Sequence, residues 1–393
     1  MFEIDAALRR LVEANGSDLH LKVGAAPLMR VNGELAPIPD ESALRSEDTE
    51  RVVDQILPSE EHRAEFASDG EVDFAYAIVG VGRFRVNAFR QRGTVSLVMR
   101  SIPTKIKTAD ELGLPPVVSE LAEEKRGIIL LTGTTGSGKS TTLAAIIDHI
   151  NRARAEHIVT IEDPIEFLHH DKSSILNQRE VGSDTVSFGR ALRRVLRQDP
   201  DVILIGEMRD EETVHTALSA AETGHLVLST LHTIDAPETV NRVVDFFPPH
   251  QQQQIRSILA GVLRGVISQR LLPRLEGGRV AAVEVMVNNS RIADLIREQT
   301  PEEIPDAIAE GQFFDMQTFT QALIELVVAG EIDREVAANA STNRHDFMVS
   351  LDQALKRKAA GVETDRPVSE MAPEPPKPGD EPMPGLRIAG QDG

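Results

Sequence analysis

The sequence predicts an α/β chain: a small α+β unit, then a larger α/β unit around a mostly parallel sheet, then a helical region. Three observations carry this. Up to about residue 104 short alternating strands are separated by turn residues. From about residue 117 short apolar runs alternate with helical segments, the pattern of a sheet covered on both faces. One of those runs leads into a glycine-rich loop and a helix. A length of 393 residues, about twice that of an ordinary domain, accommodates the whole.

Taken in order, residues 1–104 predict an N-terminal helix, strands at Asp18 to Lys22 and Pro27 to Val31, and a hairpin turn at Asn32-Gly33, a pair that tolerates positive φ at both positions. A second strand pair spans about Val72 to Ile78 and Arg83 to Phe89, followed by Thr94 to Arg100. Gly and Pro near Leu112 to Pro116 mark a boundary, so 105–116 reads as a linker. In the core unit, 117–289, strands are expected at Gly127 to Thr132, His157 to Ile161, Val202 to Ile205, His225 to Thr230 and Val280 to Met286. Residues 290–360 read as helical. The stretch 361–393 is rich in Pro and acidic residues and predicts a disordered tail.

The formal net charge is -20, which opposes adhesion to nucleic acid or anionic lipid as a property of the whole surface. One Tyr and no Trp leave few rings to stack on bases. The absence of cysteine excludes a disulfide framework and a thiolate zinc site and points to the cytoplasm. No apolar stretch approaches the roughly 20 residues that span a bilayer, and Met1 to Arg10 lacks the pattern of a secretion signal, so work at a membrane means docking there.

Gly133-Thr134-Thr135-Gly136-Ser137-Gly138-Lys139-Ser140 fits the phosphate-binding pattern G-x-x-x-x-G-K-[ST], between the strand Ile128 to Leu131 and the helical run from Thr141. Glycines let the loop's own N–H groups wrap a phosphate, and the helix N-terminus adds positive potential. Lys139 is expected to reach the β- and γ-phosphates of ATP or GTP, and Ser140 to ligate Mg²⁺. Val202 to Ile205 followed by Gly206-Glu207 puts a carboxylate at the end of a buried strand, where it can orient Mg²⁺ or the attacking water. Glu162, Asp163 and Glu166 follow a neighbouring strand and can approach the same phosphates, so one of Glu166 and Glu207 is the expected general base.

His225 and His232 bracket a strand and by spacing alone read as hydrogen-bonded structural side chains, with too few partners for a metal site. Arg190, Arg193, Arg194 and Arg197 share one helix face, a solvated or subunit-facing stripe.

Four segments in this order resemble the secretion and pilus ATPases, and within them the PilT-type retraction ATPases: the loop at 133–141, the acidic box from Thr160 to Glu166, the segment from Asp199 to Asp210, and a histidine box from Thr223 to Thr233. Gly82 to Phe89, Gln269 to Leu272 and Gly278 to Ala282 extend the resemblance over roughly residues 1–358. It implies a PAS-like N-terminal domain flexibly joined to a RecA-like domain, six copies in a ring, and ATP at the junctions. It further implies that Glu166 is the base and that Glu207 organises Mg²⁺ and water. Arg85 and Arg100 would reach a partner's nucleotide, and His225 and His232 would sense its state. The implied partner is an inner-membrane platform protein, with no role for nucleic acid.

Retraction, rather than pilus assembly or type II secretion, is favoured by the short N-terminal region, by the missing four-cysteine element, and by Arg291 to Glu298. That segment resembles a retraction-ATPase helix but departs from it in its first half. A nucleic-acid motor is disfavoured by the charge, and a non-hydrolysing adaptor by the presence of both Glu166 and Glu207.

Overall fold

The computed structural model describes residues 2–359; the expected tail lies outside the described residues. The N-terminal domain comprises α1 (Ile4–Glu13), β1 (Asp18–Lys22), β2 (Leu28–Val31), β3 (Glu34–Pro37), α2 (Ser46–Ile56), α3 (Glu60–Asp69), β4 (Glu71–Ile78), β5 (Gly82–Gln91) and β6 (Thr94–Ser101). Its six strands lie in the order β3-β2-β1-β6-β5-β4, every neighbouring pair antiparallel.

Strand periodicity explains the packing. Phe84, Val86 and Ala88 of β5 and Val95, Leu97 and Met99 of β6 point into one core with Leu8 and Leu11 of α1 and Val52 and Val53 of α2, while Arg85 between them faces out. Asn32 and Gly33 adopt φ of 51° and 87°, so the β2–β3 turn takes the conformation its sequence favours.

The second domain carries α4 (Val117–Ala122), β7 (Gly127–Thr132), α5 (Lys139–Ala153), β8 (His157–Glu162), β9 (Ile175–Glu180), α6 (Phe188–Val195), β10 (Val202–Ile205), α7 (Glu211–Glu222), β11 (Leu226–Leu231), α8 (Ala236–Asp245), α9 (Pro249–Val262), β12 (Leu263–Pro273) and β13 (Arg279–Val287). The sheet order is β13-β12-β7-β11-β10-β8-β9, parallel throughout except for β12 against β13.

Central strands serve two cores at once. Ile128, Leu130, Ile203 and Val227 join the core under α6 to α9, whereas Ile129, Leu131, Leu204 and Leu228 join the one under α4 and α5. That is why these strands read as unbroken apolar runs.

The segment read as a linker is not free chain. A short 3-10 turn at Asp110–Leu112 forms there, Leu114 is buried, and Ala109 and Leu112 pack against the core under α4 and α5. The helical region also merges with the sheet. Ile292 and Ile296 of α10 (Ser290–Glu298) and Ile304 and Ile308 of α11 (Ile304–Ala309) belong to the core under α6 to α9. Leu272, Val280 and Ala282 of the β12–β13 hairpin pack with α12 (Phe319–Val328), α13 (Arg334–Ala340) and α14 (Arg344–Ala359). Among the described residues no helix is long and apolar enough to cross a membrane.

Candidate functional site

Because β7, β8, β10 and β11 run parallel, their C-terminal ends share one edge of the sheet, and the loops that follow them meet there. After β7 the chain turns back over the strand end, and Lys139 opens α5. Gly133 has φ of 137°, and a Cβ placed on it would lie 2.4 Å from the carbonyl oxygen of Gln269 on β12. Gly138 has φ of 94°, and its Cβ would meet Gln269 Nε2 at 2.8 Å. Gln269 is buried beneath the loop and accepts a hydrogen bond from Thr142 Oγ1 at 2.9 Å. The loop therefore packs tightly on its inner side, and glycine alone admits that approach.

Lys139 Nζ donates to the carbonyls of Gly133 at 2.7 Å and Thr134 at 3.1 Å. Burial lowers its pKa while the charge of Glu166 opposes that shift, which puts Glu166 within electrostatic reach of the ammonium.

Glu207 follows β10 with its side chain 14% exposed, ion-paired to Arg209 and 3.2 Å from Nε2 of His232, which follows β11. Burial, then the charges of Lys139 and Arg209, hold His232 below the usual histidine range. Glu162 ends β8 and accepts from Thr160 Oγ1 at 2.6 Å and Gln178 Nε2 at 3.0 Å; burial pushes its carboxyl pKa up. Glu166 lies exposed four residues further along the loop.

These groups surround one cavity of about 530 Å³, whose lining includes Thr135, Gly136, Gly138, Ser140 and Thr141 of the loop and, across from them, Glu166, Glu207 and His232. The same cavity takes in Arg209 and Arg279, which sequence reading had not singled out as site residues. Arg279 begins β13 and reaches the site only because the antiparallel hairpin brings that end back beside the loop.

Not every expected residue is here. His225 precedes β11 at the opposite end of the sheet: its carbonyl accepts the N–H of Gly127 at the start of β7, and its Nδ1 contacts the Ala220 carbonyl at 2.9 Å. Six strand residues, roughly 20 Å at about 3.3 Å each, separate it from the phosphate loop. His225 therefore does not line this chain's cavity, because one strand cannot bring both its ends to the same end of the sheet.

Arg85 and Arg100 are cross-strand partners on the exposed face of the N-terminal sheet, with Arg100 Nε 2.8 Å from Asp18 Oδ1. Neither lines the cavity. Among the four arginines of α6 and its C-terminal end, Arg193 pairs with Glu212 of α7 and all four are exposed.

A family model described as type II/IV secretion system protein matches residues 3–360. The type IV pilus retractation ATPase PilT of Pseudomonas aeruginosa is 46% identical over 345 residues, 88% of this chain and 100% of that one. The type IV pilus ATPase PilU of the same organism is 42% identical over 350 residues, 89% and 91% of the two chains. The crystal structure of the pilus retraction motor PilT with bound ADP superposes with a TM-score of 0.80 at 47% identity, covering 88% of this chain and 99% of that one.

Proposed function

The chain belongs to the type II/IV secretion system protein family, and from that premise we propose that it is an ATP-hydrolysing motor that powers type IV pilus retraction. The observation that carries this is the meeting of the phosphate loop with Glu166, Glu207 and His232 around one cavity. A nucleotide-binding protein without turnover has no need of two carboxylates there, and the relatives named for retraction extend over nearly the whole chain.

In this reading the loop's N–H groups and the α5 N-terminus hold the phosphates, and Lys139 exchanges its two loop carbonyls for β- and γ-phosphate oxygens. Glu166, which lines the cavity across from the loop, accepts a proton from the attacking water. Ser140 and Glu207 supply hard oxygen donors of the kind Mg²⁺ prefers, and they would hold it beside the phosphates. Bound there, the cation neutralises charge developing on phosphate oxygens. His232, with Nε2 3.2 Å from Glu207, reports whether that carboxylate is engaged.

Arg85 and Arg100, exposed and away from this chain's cavity, suit a role on a neighbouring subunit's nucleotide, where a guanidinium stabilises charge spread over the γ-phosphoryl oxygens. That arrangement calls for a ring, and we take it as a homohexamer. Closing and releasing the two domains of successive subunits would move an inner-membrane platform protein, to which the protein docks at the cytoplasmic face. Phosphate release from ATP by the purified protein tests the enzymatic half: turnover that disappears in Lys139→Ala supports it, and absence of turnover in an assembled ring overturns it.

A further inference from the structure

The loop joining β8 to β9 carries Glu166, and contacts from the other domain hold it. Glu180, the last residue of β9, is 6% exposed. Its Oε2 accepts the N–H of Ile165 at 3.1 Å, and the same oxygen lies 3.2 Å from Nη2 of Arg83, on β5 of the N-terminal domain. Ile165 is buried and immediately precedes Glu166. Two residues beyond Glu166, the N–H of Leu168 donates at 3.0 Å to the carbonyl of Pro103, where the chain leaves the N-terminal sheet. From within the second domain Gln178 clasps the same stretch, accepting from the His169 N–H at 2.9 Å and donating to the Phe167 carbonyl at 2.9 Å.

We propose that Glu180 is a positioning residue that transmits the placement of the N-terminal domain, through Arg83, to the Ile165 backbone and so to the aim of Glu166. The physics lies in the shared oxygen. A carboxylate this buried is tolerated because a guanidinium and an amide meet on one oxygen while Ser183 Oγ donates to the other. When the N-terminal domain shifts, Arg83 withdraws, the carboxylate is left with neutral donors only, Ser183 Oγ already standing 3.4 Å from Oε1, its uncompensated charge turns toward water, and the Ile165 N–H loses its anchor. Glu166 is then free to leave its productive position. Hydrolysis is gated by domain placement, and the gate needs no contact between the N-terminal domain and the nucleotide of its own chain.

The inference rests on Glu166 being the base. The test compares kcat, the Kd of a fluorescent ADP analogue, thermal midpoint and ring elution for Arg83→Gln, Glu180→Gln and the double variant. Glu180→Gln keeps an acceptor for Ile165 but drops the charge that holds Arg83.

The expected result is a fall in kcat of about tenfold in each single variant, with nucleotide Kd unchanged and the double variant no slower than either single, because both cut one link. Unchanged kcat in Arg83→Gln, or losses that multiply in the double variant, overturns the coupling. Should Glu180→Gln fail to fold, Arg83→Gln decides alone, since that side chain is 23% exposed and belongs to the other domain. A wild-type ring without turnover would remove the base assignment itself, whereas active wild type with unaffected variants removes only the coupling.

Discussion

Replacing Glu284 by Gln isolates one buried carboxyl group beneath the histidine box. Glu284 lies on β13, and its Oε1 accepts from the N–H of Ala236 at 2.9 Å and from Ser268 Oγ at 3.4 Å. Burial pushes its pKa from 4.5 to about 7, against the opposing pull of the Ala236 N–H, with Asp235 adding to the rise. The folded chain therefore holds this proton more tightly than the unfolded chain. Its contribution is fully present below about pH 4.5 and is lost as pH rises through about 7, and at about 1.4 kcal/mol per unit it amounts to about 3 kcal/mol.

His169 works the other way. Burial lowers its pKa from 6.5 to about 4, so its contribution is present above 6.5 and is lost as pH falls. Both proteins share that slope, and it cancels in their difference. Urea unfolding of nucleotide-free wild type and Glu284→Gln across pH 5 to 8 is expected to show the variant gaining about 2 to 3 kcal/mol relative to wild type over that range. A difference that stays constant with pH would mean that Glu284 is ionised throughout in the folded state, and the burial argument would be wrong.

Three further outcomes follow from the site. Gly133→Ala drives a Cβ to 2.4 Å from a backbone oxygen at positive φ; with about 3 kcal/mol of strain, nucleotide Kd measured by fluorescence should rise about 100-fold. Glu166→Gln should retain nucleotide binding while kcat for phosphate release falls by about 10² to 10⁴, the usual worth of a general base. Arg85→Ala rings should be inactive, yet mixing their subunits with Glu166→Gln subunits should restore turnover at junctions that combine an intact arginine with an intact base; no recovery would place Arg85 outside the neighbouring site.

The parallel core was legible because strands buried on both faces must be apolar at every position, as Val202 to Ile205 and Leu226 to Leu231 are. β9 went unread: an edge strand running Ile-Leu-Asn-Gln-Arg-Glu, with Ile175 itself 56% exposed, offers no such run. β12 went unread for another reason. It follows α9 without a single intervening residue, so no loop separates the helix ending at Val262 from the strand beginning at Leu263. The phosphate loop and Glu207 announced themselves through local spacing. Gln269 beneath the loop, Arg279 at the cavity and Glu180 behind Ile165 are placed by strand pairing between distant segments, a relation that no local pattern encodes. The same reason separates His225 from His232, seven residues apart in sequence and at opposite ends of one strand.

The central claim is retraction driven by hydrolysis at Glu166, and its most direct test is a count of surface pili, with a surface-motility assay, in a strain lacking this gene and carrying either the wild-type copy or Glu166→Gln. Excess pili with lost motility, reversed by the wild type and not by Glu166→Gln, is the predicted result. Absent pili in the deletion strain would contradict it and assign the motor to assembly.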